Sequence, residues 1–308
     1  MAYVFPGQGS QAVGMGRDLE ESHPAARGTF QEADEALGFS LSRLCFYGPE
    51  EELRETQNAQ PAIMATSIAC LRVAEAEGLL PAGAAFVAGH SLGEYTALVA
   101  AGALDFAQGL RLVRERGRLM QQAGEQVPSG MAAILGLEED ALHQVCQEAG
   151  VQVANLNCPG QVVISGPQAE LSFAMDLAKG RGARQVVALN VSGAFHSCVM
   201  RPAEEGLARY LGEVPIRDPA IPVVSNVTAR PIPNSEALRT ALMQQLCSPV
   251  RWHPSIEWMV SQGVTTFIEF GPGRVLGGLI KRIHRQARVI SVSDVDSLEK
   301  LRQEGPWT

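Results

Sequence analysis

The run Ala84-Ala85-Phe86-Val87-Ala88 leads into Gly89-His90-Ser91-Leu92-Gly93, and a stretch that reads as helix, Glu94 to Ala101, follows. The order is strand, tight glycine-flanked turn, helix. In that context the serine of a G-x-S-x-G pattern becomes a nucleophile. The flanking glycines are expected to tolerate the strained backbone of such an elbow. The helix N-terminus behind Ser91 offers backbone N–H groups and a positive dipole end to an oxyanion. The chemistry expected is acyl transfer through a serine ester. Taken alone, the pentapeptide also fits a structural Gly-Ser turn; the strand before it and the helix after it favour the elbow.

Working outward, residues 2–5 read as a short buried strand entering the turn Pro6-Gly7-Gln8-Gly9-Ser10-Gln11. Helices are expected over Ala25–Leu37 and, after Asn58-Ala59-Gln60-Pro61, over Ala62–Ala76. Asp105 is a good N-cap for a helix over Phe106–Ala123. The apolar stripe of that helix is Phe106, Leu110, Val113, Gly117 and Met120. Arg116 falls on its edge at 100° per residue, Arg114 flanks the other edge, and Arg111 and Arg118 point away. Arg116 is the half-buried arginine expected.

The texture changes after Gly124. Met131–Leu135, Val151–Ala154, Val162–Ser165 and Gln185–Leu189 read as strands, with helices at Glu138–Ala149 and Gln168–Lys179. This β-α-β-β-α-β order matches the ferredoxin-like pattern. The larger body then resumes, with helices near Pro202–Leu211 and Ser235–Cys247 and strands at Pro222–Ser225 and Thr266–Phe270. Gly271-Pro272-Gly273 and a helix from Val275 come next, then a strand at Val289–Val292 and a loose tail, Gln303 to Thr308. The fold class is α/β: a larger α/β-hydrolase-like subdomain with a mainly parallel sheet, residues 1–125 and 194–308, and an inserted smaller ferredoxin-like α+β subdomain, residues 126–193.

With 308 residues, one large domain or one carrying an insert is expected. A formal net charge of -8 argues against general nucleic-acid binding. Met1-Ala2-Tyr3-Val4-Phe5-Pro6 lacks the basic start and long apolar stretch of a signal peptide. No charge-free 18-residue apolar run occurs, so no membrane span is expected. Cys45, Cys70, Cys146, Cys158, Cys198 and Cys247 form no C-x-x-C pair and read as reduced thiols of a cytoplasmic protein. The histidines show no metal-ligand spacing, so no metal is expected.

A serine nucleophile needs a base. His196, in Ser192-Gly193-Ala194-Phe195-His196-Ser197, lies on a loop where the two parts of the chain rejoin. His90 is the other candidate, although it points away from the elbow. No triad acid is evident: Asp140 and Asp176 both fall in the insert.

Six segments occur in register: Phe5-Pro6-Gly7-Gln8-Gly9-Ser10-Gln11, Gly89-His90-Ser91-Leu92-Gly93-Glu94, Arg116-Gly117, Asn157 through Gly160, Gly193-Ala194-Phe195-His196-Ser197 and Glu269-Phe270-Gly271-Pro272-Gly273. Together they resemble the malonyl-CoA:acyl carrier protein transacylase family of fatty acid synthesis, over about residues 2 to 292. The resemblance implies that Ser91 is the acylated nucleophile and His196 the general base and acid. It implies that a backbone carbonyl, at Gln245, orients the histidine in place of an aspartate. Arg116 matches the arginine that pairs with the malonyl carboxylate, and the N–H groups of Gln8 and Leu92 match the oxyanion hole. Gln60 and Asn157 match polar positions lining the pocket. Leu92 and the Gly193-to-His196 sequence resemble malonyl-using rather than methylmalonyl-using variants. Malonyl-CoA and the phosphopantetheine of an acyl carrier protein are then the substrates, with no cofactor, and a cytoplasmic monomer is expected.

Three functions compete with this one. A free-standing acyltransferase serving a polyketide synthase would share the site. A serine esterase or thioesterase would find Arg116 a poor lining for a neutral ester, and the chain has no HGGG-type motif. A non-enzymatic interaction domain would leave the catalytic positions unexplained. Two further loci stay open. Gly271-Pro272-Gly273 reads as a plain turn or a phosphate cradle. Lys281, Arg282, Arg285 and Arg288, with 281, 285 and 288 on one helical face, read as cations at a helix C-terminus or as a dock for an acidic carrier.

Overall fold

The computed structural model describes residues 1–80 and 83–305. Nine strands occur among them: β1 Ala2–Phe5, β2 Phe86–Gly89, β3 Ser129–Leu135, β4 Gln152–Cys158, β5 Gln161–Pro167, β6 Gln185–Ala188, β7 Val223–Val224, β8 Thr266–Phe270 and β9 Arg288–Val292. They make two sheets, β7-β2-β1-β8-β9 and β4-β5-β3-β6. Every pairing in the first is parallel. Every pairing in the second is antiparallel, and its strands alternate with helices Glu139–Ala149 and Gln168–Gly180 in the ferredoxin-like order.

The parallel sheet is covered on both faces, which is why β1 is buried at all four positions. Its side chains alternate between two cores. Tyr3 and Phe5 pack with Val87, Ile268, Phe270 and helix Thr56–Ala76. Ala2 and Val4 pack with Phe267, Trp252, Leu276 and Ile280 on the other side.

Several boundaries differ from the sequence reading. The second expected helix begins at Thr56 rather than Ala62 and runs through Pro61. Packing against helix Phe106–Gln126 carries it past the proline: Gly117 of that helix lies against the backbone of Thr56 and Gln57. The strand expected over Pro222–Ser225 shrinks to Val223–Val224. Short helices Arg17–Ser22, Leu41–Tyr47 and Glu50–Arg54, and the longer Trp252–Ser261 and Val295–Glu304, were not foreseen. The tail expected to be loose is helical at Gln303 and Glu304; its residues 306–308 lie outside the described residues. Among the described residues no helix is long and apolar enough to cross a membrane.

Candidate active site

The C-terminal end of β2 opens into a cavity of about 610 Å³. Gln8, His90, Ser91, Leu92, Arg116 and His196 line it, and Met131, Asn155 and Leu189 face them from the region of the antiparallel sheet.

Ser91 sits between β2 and helix Leu92–Ala100 with φ 52 and ψ -105, a conformation non-glycine residues rarely adopt. The strain lies on the serine, not on its glycines. Gly89 and Gly93 are absent from the positive-φ positions, and they are glycine because of space. A methyl at Gly89 would overlap the Gly93 carbonyl, and one at Gly93 would overlap the Phe5 carbonyl. The elbow is clamped at both backbone groups. The Ser91 N–H donates to Asn226 Oδ1 at 2.7 Å, and the Ser91 carbonyl accepts from Gln245 Nε2 at 3.0 Å.

His196, also at positive φ (61), is the histidine that reaches the nucleophile. Its Nε2 lies 2.8 Å from Ser91 Oγ, and its Nδ1 lies 2.9 Å from the main-chain oxygen of Gln245. A carbonyl only accepts, so Nδ1 carries the proton and Nε2 is free to take one from the serine. Burial, and then the Arg116 charge, push the imidazole down to about 3, which keeps it neutral. His90 is turned elsewhere: its Nε2 meets Asn157 Oδ1 at 2.9 Å.

Arg116 is 1% exposed, more deeply buried than the stripe-edge position suggested. Arg114, the rival, lies over the Phe39 ring. Arg116 Nη1 donates to Gln60 Oε1 at 2.8 Å, and Nη2 donates to Gln245 Oε1 at 2.9 Å and to Ser91 Oγ at 3.1 Å. These partners are neutral, so the guanidinium is held without a carboxylate in direct contact. Its Nε is buried without a partner.

Two positions expected to line the cavity stand behind it. Gln60 is fully buried against Arg116 and Met120, and Asn157 sits behind His90. Gln8 and Leu92 do line it, and among the described residues their N–H groups meet no acceptor. Gly271-Pro272-Gly273 is a turn: Glu269 already accepts the N–H groups of Leu276 and Gly277 behind it, each at 3.0 Å. The basic cluster is not one helical face. Helix Val275–Ile283 stops before Arg285, and Arg288 begins β9, because pairing with β8 overrides the helical spacing. Lys281, Arg282 and Arg285 are exposed and lie outside the cavity lining, with Arg282 donating to Gln161 at 2.6 Å.

Glu94, Asn226 and the Gln245 side chain were missed. Glu94 is fully buried, and burial pushes its carboxyl up to about 7 against the opposing pull of the Asn226 N–H, the Gln245 amide and the Arg116 charge. A lone acid in the apolar run Leu92-Gly93-Glu94-Tyr95-Thr96-Ala97-Leu98 was the available signal. Among the described residues no group of three or more His, Cys, Asp or Glu could hold a metal.

A histidine-paired, strained serine beside a buried guanidinium that no carboxylate touches directly is equipped to form an ester of an anionic acyl group. The acyl transferase domain model matches residues 2–305. The chain belongs to the acyl transferase family. This acyl transferase is 49% identical over 304 residues to the malonyl CoA-acyl carrier protein transacylase of Bacillus subtilis, covering 97% of this chain and 95% of that protein. It superposes on the crystal structure of an acyl carrier protein S-malonyltransferase from Vibrio cholerae with a TM-score of 0.93 and 46% identity, covering 97% and 99% of the two chains. It is equally similar to a malonyl-transacylase solved in complex with a type II PKS acyl-carrier protein, at a TM-score of 0.94, 43% identity and 99% coverage of each chain.

Proposed function

We propose that this acyl transferase moves a malonyl group from coenzyme A to the phosphopantetheine thiol of an acyl carrier protein, through an ester on Ser91, as a step of fatty acid synthesis. The names of its relatives support the substrates. The observation that carries the reading is Arg116, a buried cation 3.1 Å from the Ser91 oxygen and held only by neutral groups. Malonyl carries a carboxylate one methylene from its acyl carbon, which suits a cation at that separation.

Ser91 Oγ attacks the thioester carbonyl while its proton passes to His196 Nε2. The N–H groups of Gln8 and Leu92 receive the oxyanion, aided by the helix N-terminus. The carbonyl of Gln245 holds the imidazolium that forms. The carbon–sulfur bond breaks, His196 gives its proton to the coenzyme A sulfur, and the malonyl ester remains. The carrier thiol then loses its proton to His196 and attacks the ester, and the proton returns to Ser91 Oγ. Arg116 fixes the acyl chain so that a bound thiol, rather than water, is aligned. These steps call on the chain's own side-chain and backbone groups, with no cofactor, and on this reading the enzyme is a cytoplasmic monomer.

Lys281, Arg282 and Arg285 are the proposed dock for the acidic carrier, which a chain of net charge -8 otherwise repels. A polyketide carrier is the second reading, favoured by the likeness to the malonyl-transacylase seen with such a carrier. The site would be the same.

Arg116→Ala tests the reading. Acylation by malonyl-CoA should lose about 2–5 kcal/mol of transition-state stabilisation, because a substrate charge is left unpaired. Acylation by acetyl-CoA should change far less. Equal losses for both acyl groups would make Arg116 structural.

A further inference from the structure

Glu94 touches no reacting atom, yet the groups that do are tied to it. Its Oε1 accepts the Asn226 backbone N–H at 3.1 Å, and its Oε2 accepts from Gln245 Nε2. Asn226 in turn spans the elbow: Oδ1 takes the Ser91 N–H, and Nδ2 donates to the Gly89 carbonyl at 2.6 Å. Gln245 holds the Ser91 carbonyl and Arg116 with its side chain and His196 with its main chain.

The direction of the Gln245 amide matters most. A side-chain amide has an accepting end and a donating end of nearly equal size, so neighbours decide which way it points. Here the NH₂ faces Glu94 and the Ser91 carbonyl, and the oxygen faces Arg116. Turned over, it would set an NH₂ against a guanidinium and an oxygen against a carboxylate. Both Glu94 oxygens take N–H donors in this buried cluster, one from the Asn226 main chain and one from Gln245, so the donating end of the amide is the end that fits against it.

We propose that Glu94 is a positioning residue: its carboxylate fixes the orientation of the Gln245 amide, and through it the aim of Arg116 at the malonyl carboxylate. The inference rests on malonyl transfer and adds the group that makes the arginine selective. Glutamine in its place is nearly isosteric, but its NH₂ must face either the Asn226 N–H or the Gln245 NH₂. One donor then loses its acceptor whichever way the new amide turns.

The test is Ser91 acylation by malonyl-CoA and by acetyl-CoA in wild type, Glu94→Gln, Gln245→Leu and the double variant, with thermal melts alongside. Gln245→Leu removes the amide and keeps the main-chain carbonyl for His196. In Glu94→Gln the kcat/KM for malonyl-CoA should fall roughly 10- to 100-fold, the scale of a group misplaced by about 1 Å. The acetyl-CoA value should fall much less. Gln245→Leu should also lower the malonyl-to-acetyl ratio, and adding Glu94→Gln to it should lower the ratio no further. A ratio unchanged in Glu94→Gln, or a further additive loss in the double variant, overturns the proposal. If Glu94→Gln does not fold, Gln245→Leu decides, and an unchanged ratio there is equally fatal. A wild-type enzyme that takes no malonyl mass overturns the transfer reading itself, whereas a malonylated wild type with unmoved ratios overturns only the role of Glu94.

Discussion

Strands β2 and β8 lie on either side of β1, and each runs into a glycine-bracketed turn and a helix. At the end of β8, Glu269 reaches forward and takes the N–H groups of Leu276 and Gly277, and Ser291 Oγ donates to the same carboxylate at 2.8 Å. The positive end of that helix is filled by the chain's own anion. At the end of β2 the glutamate, Glu94, sits within the helix and faces inward to Asn226 and Gln245. Leu92 lines the cavity, and among the described residues its N–H meets no acceptor. The same local motif therefore makes a turn in one place and a candidate oxyanion site in the other. What decides is where a single carboxylate points.

The difference can be broken most forcefully at the open junction. His196→Ala should slow acylation and transfer to the carrier by about 10²–10⁴-fold, the span of a positioned general base. Burial and the Arg116 charge both disfavour the imidazolium, so the folded pKa lies below the ordinary 6.5, at about 3. The neutral base then persists as pH falls, and the acid limb of wild-type acylation by acetyl-CoA should lie well below 6.5. A limb at the ordinary imidazole value, or a His196→Ala variant of wild-type rate, would move the base elsewhere.

At the closed junction the expected effect is on stability alone. Glu269→Gln leaves one of two buried N–H donors opposed by an NH₂, at a cost of about 1–3 kcal/mol. The melting temperature should drop while the acylation rate of folded enzyme holds. A rate that falls with an unchanged melting temperature would make the β8 junction part of the site.

The smallest effect is expected around the C-terminal end of that same helix. Lys281→Glu with Arg285→Glu should raise the apparent KM for the carrier severalfold and leave acylation by malonyl-CoA nearly unchanged. Surface steering weakens as the Debye length shrinks to about 8 Å at physiological ionic strength, so the variant should also show a flatter salt response. Identical carrier kinetics and salt slopes would leave these cations as complements to a helix C-terminus.

The two junctions also show what a sequence discloses. The elbow was legible because strand, turn and helix are contiguous, and Arg116 because helical periodicity put it on the stripe edge. Asp105 caps its helix as expected, accepting the Gln108 N–H at 3.1 Å. The Gln245 carbonyl was reachable only through family resemblance, since a backbone oxygen leaves no mark on residue identity. The partners of Glu94 lie 132 and 151 residues away, so its place in the cluster depends on a packing no local pattern encodes. Gln60 was assigned to the cavity by family resemblance alone; its side chain instead accepts from Arg116 behind the cavity wall. The helical spacing of 281, 285 and 288 misled because β9 pairs with β8 from Arg288 onward.

Peptide mapping by mass spectrometry after mixing the enzyme with malonyl-CoA tests the central claim most directly. A malonyl adduct should appear on Ser91, be absent from Ser91→Ala, and leave on addition of a phosphopantetheine-bearing carrier with matching gain of mass on the carrier thiol. An adduct on another residue, a Ser91→Ala variant that still becomes malonylated, or loss of the adduct as free malonate while the carrier gains nothing, would contradict it.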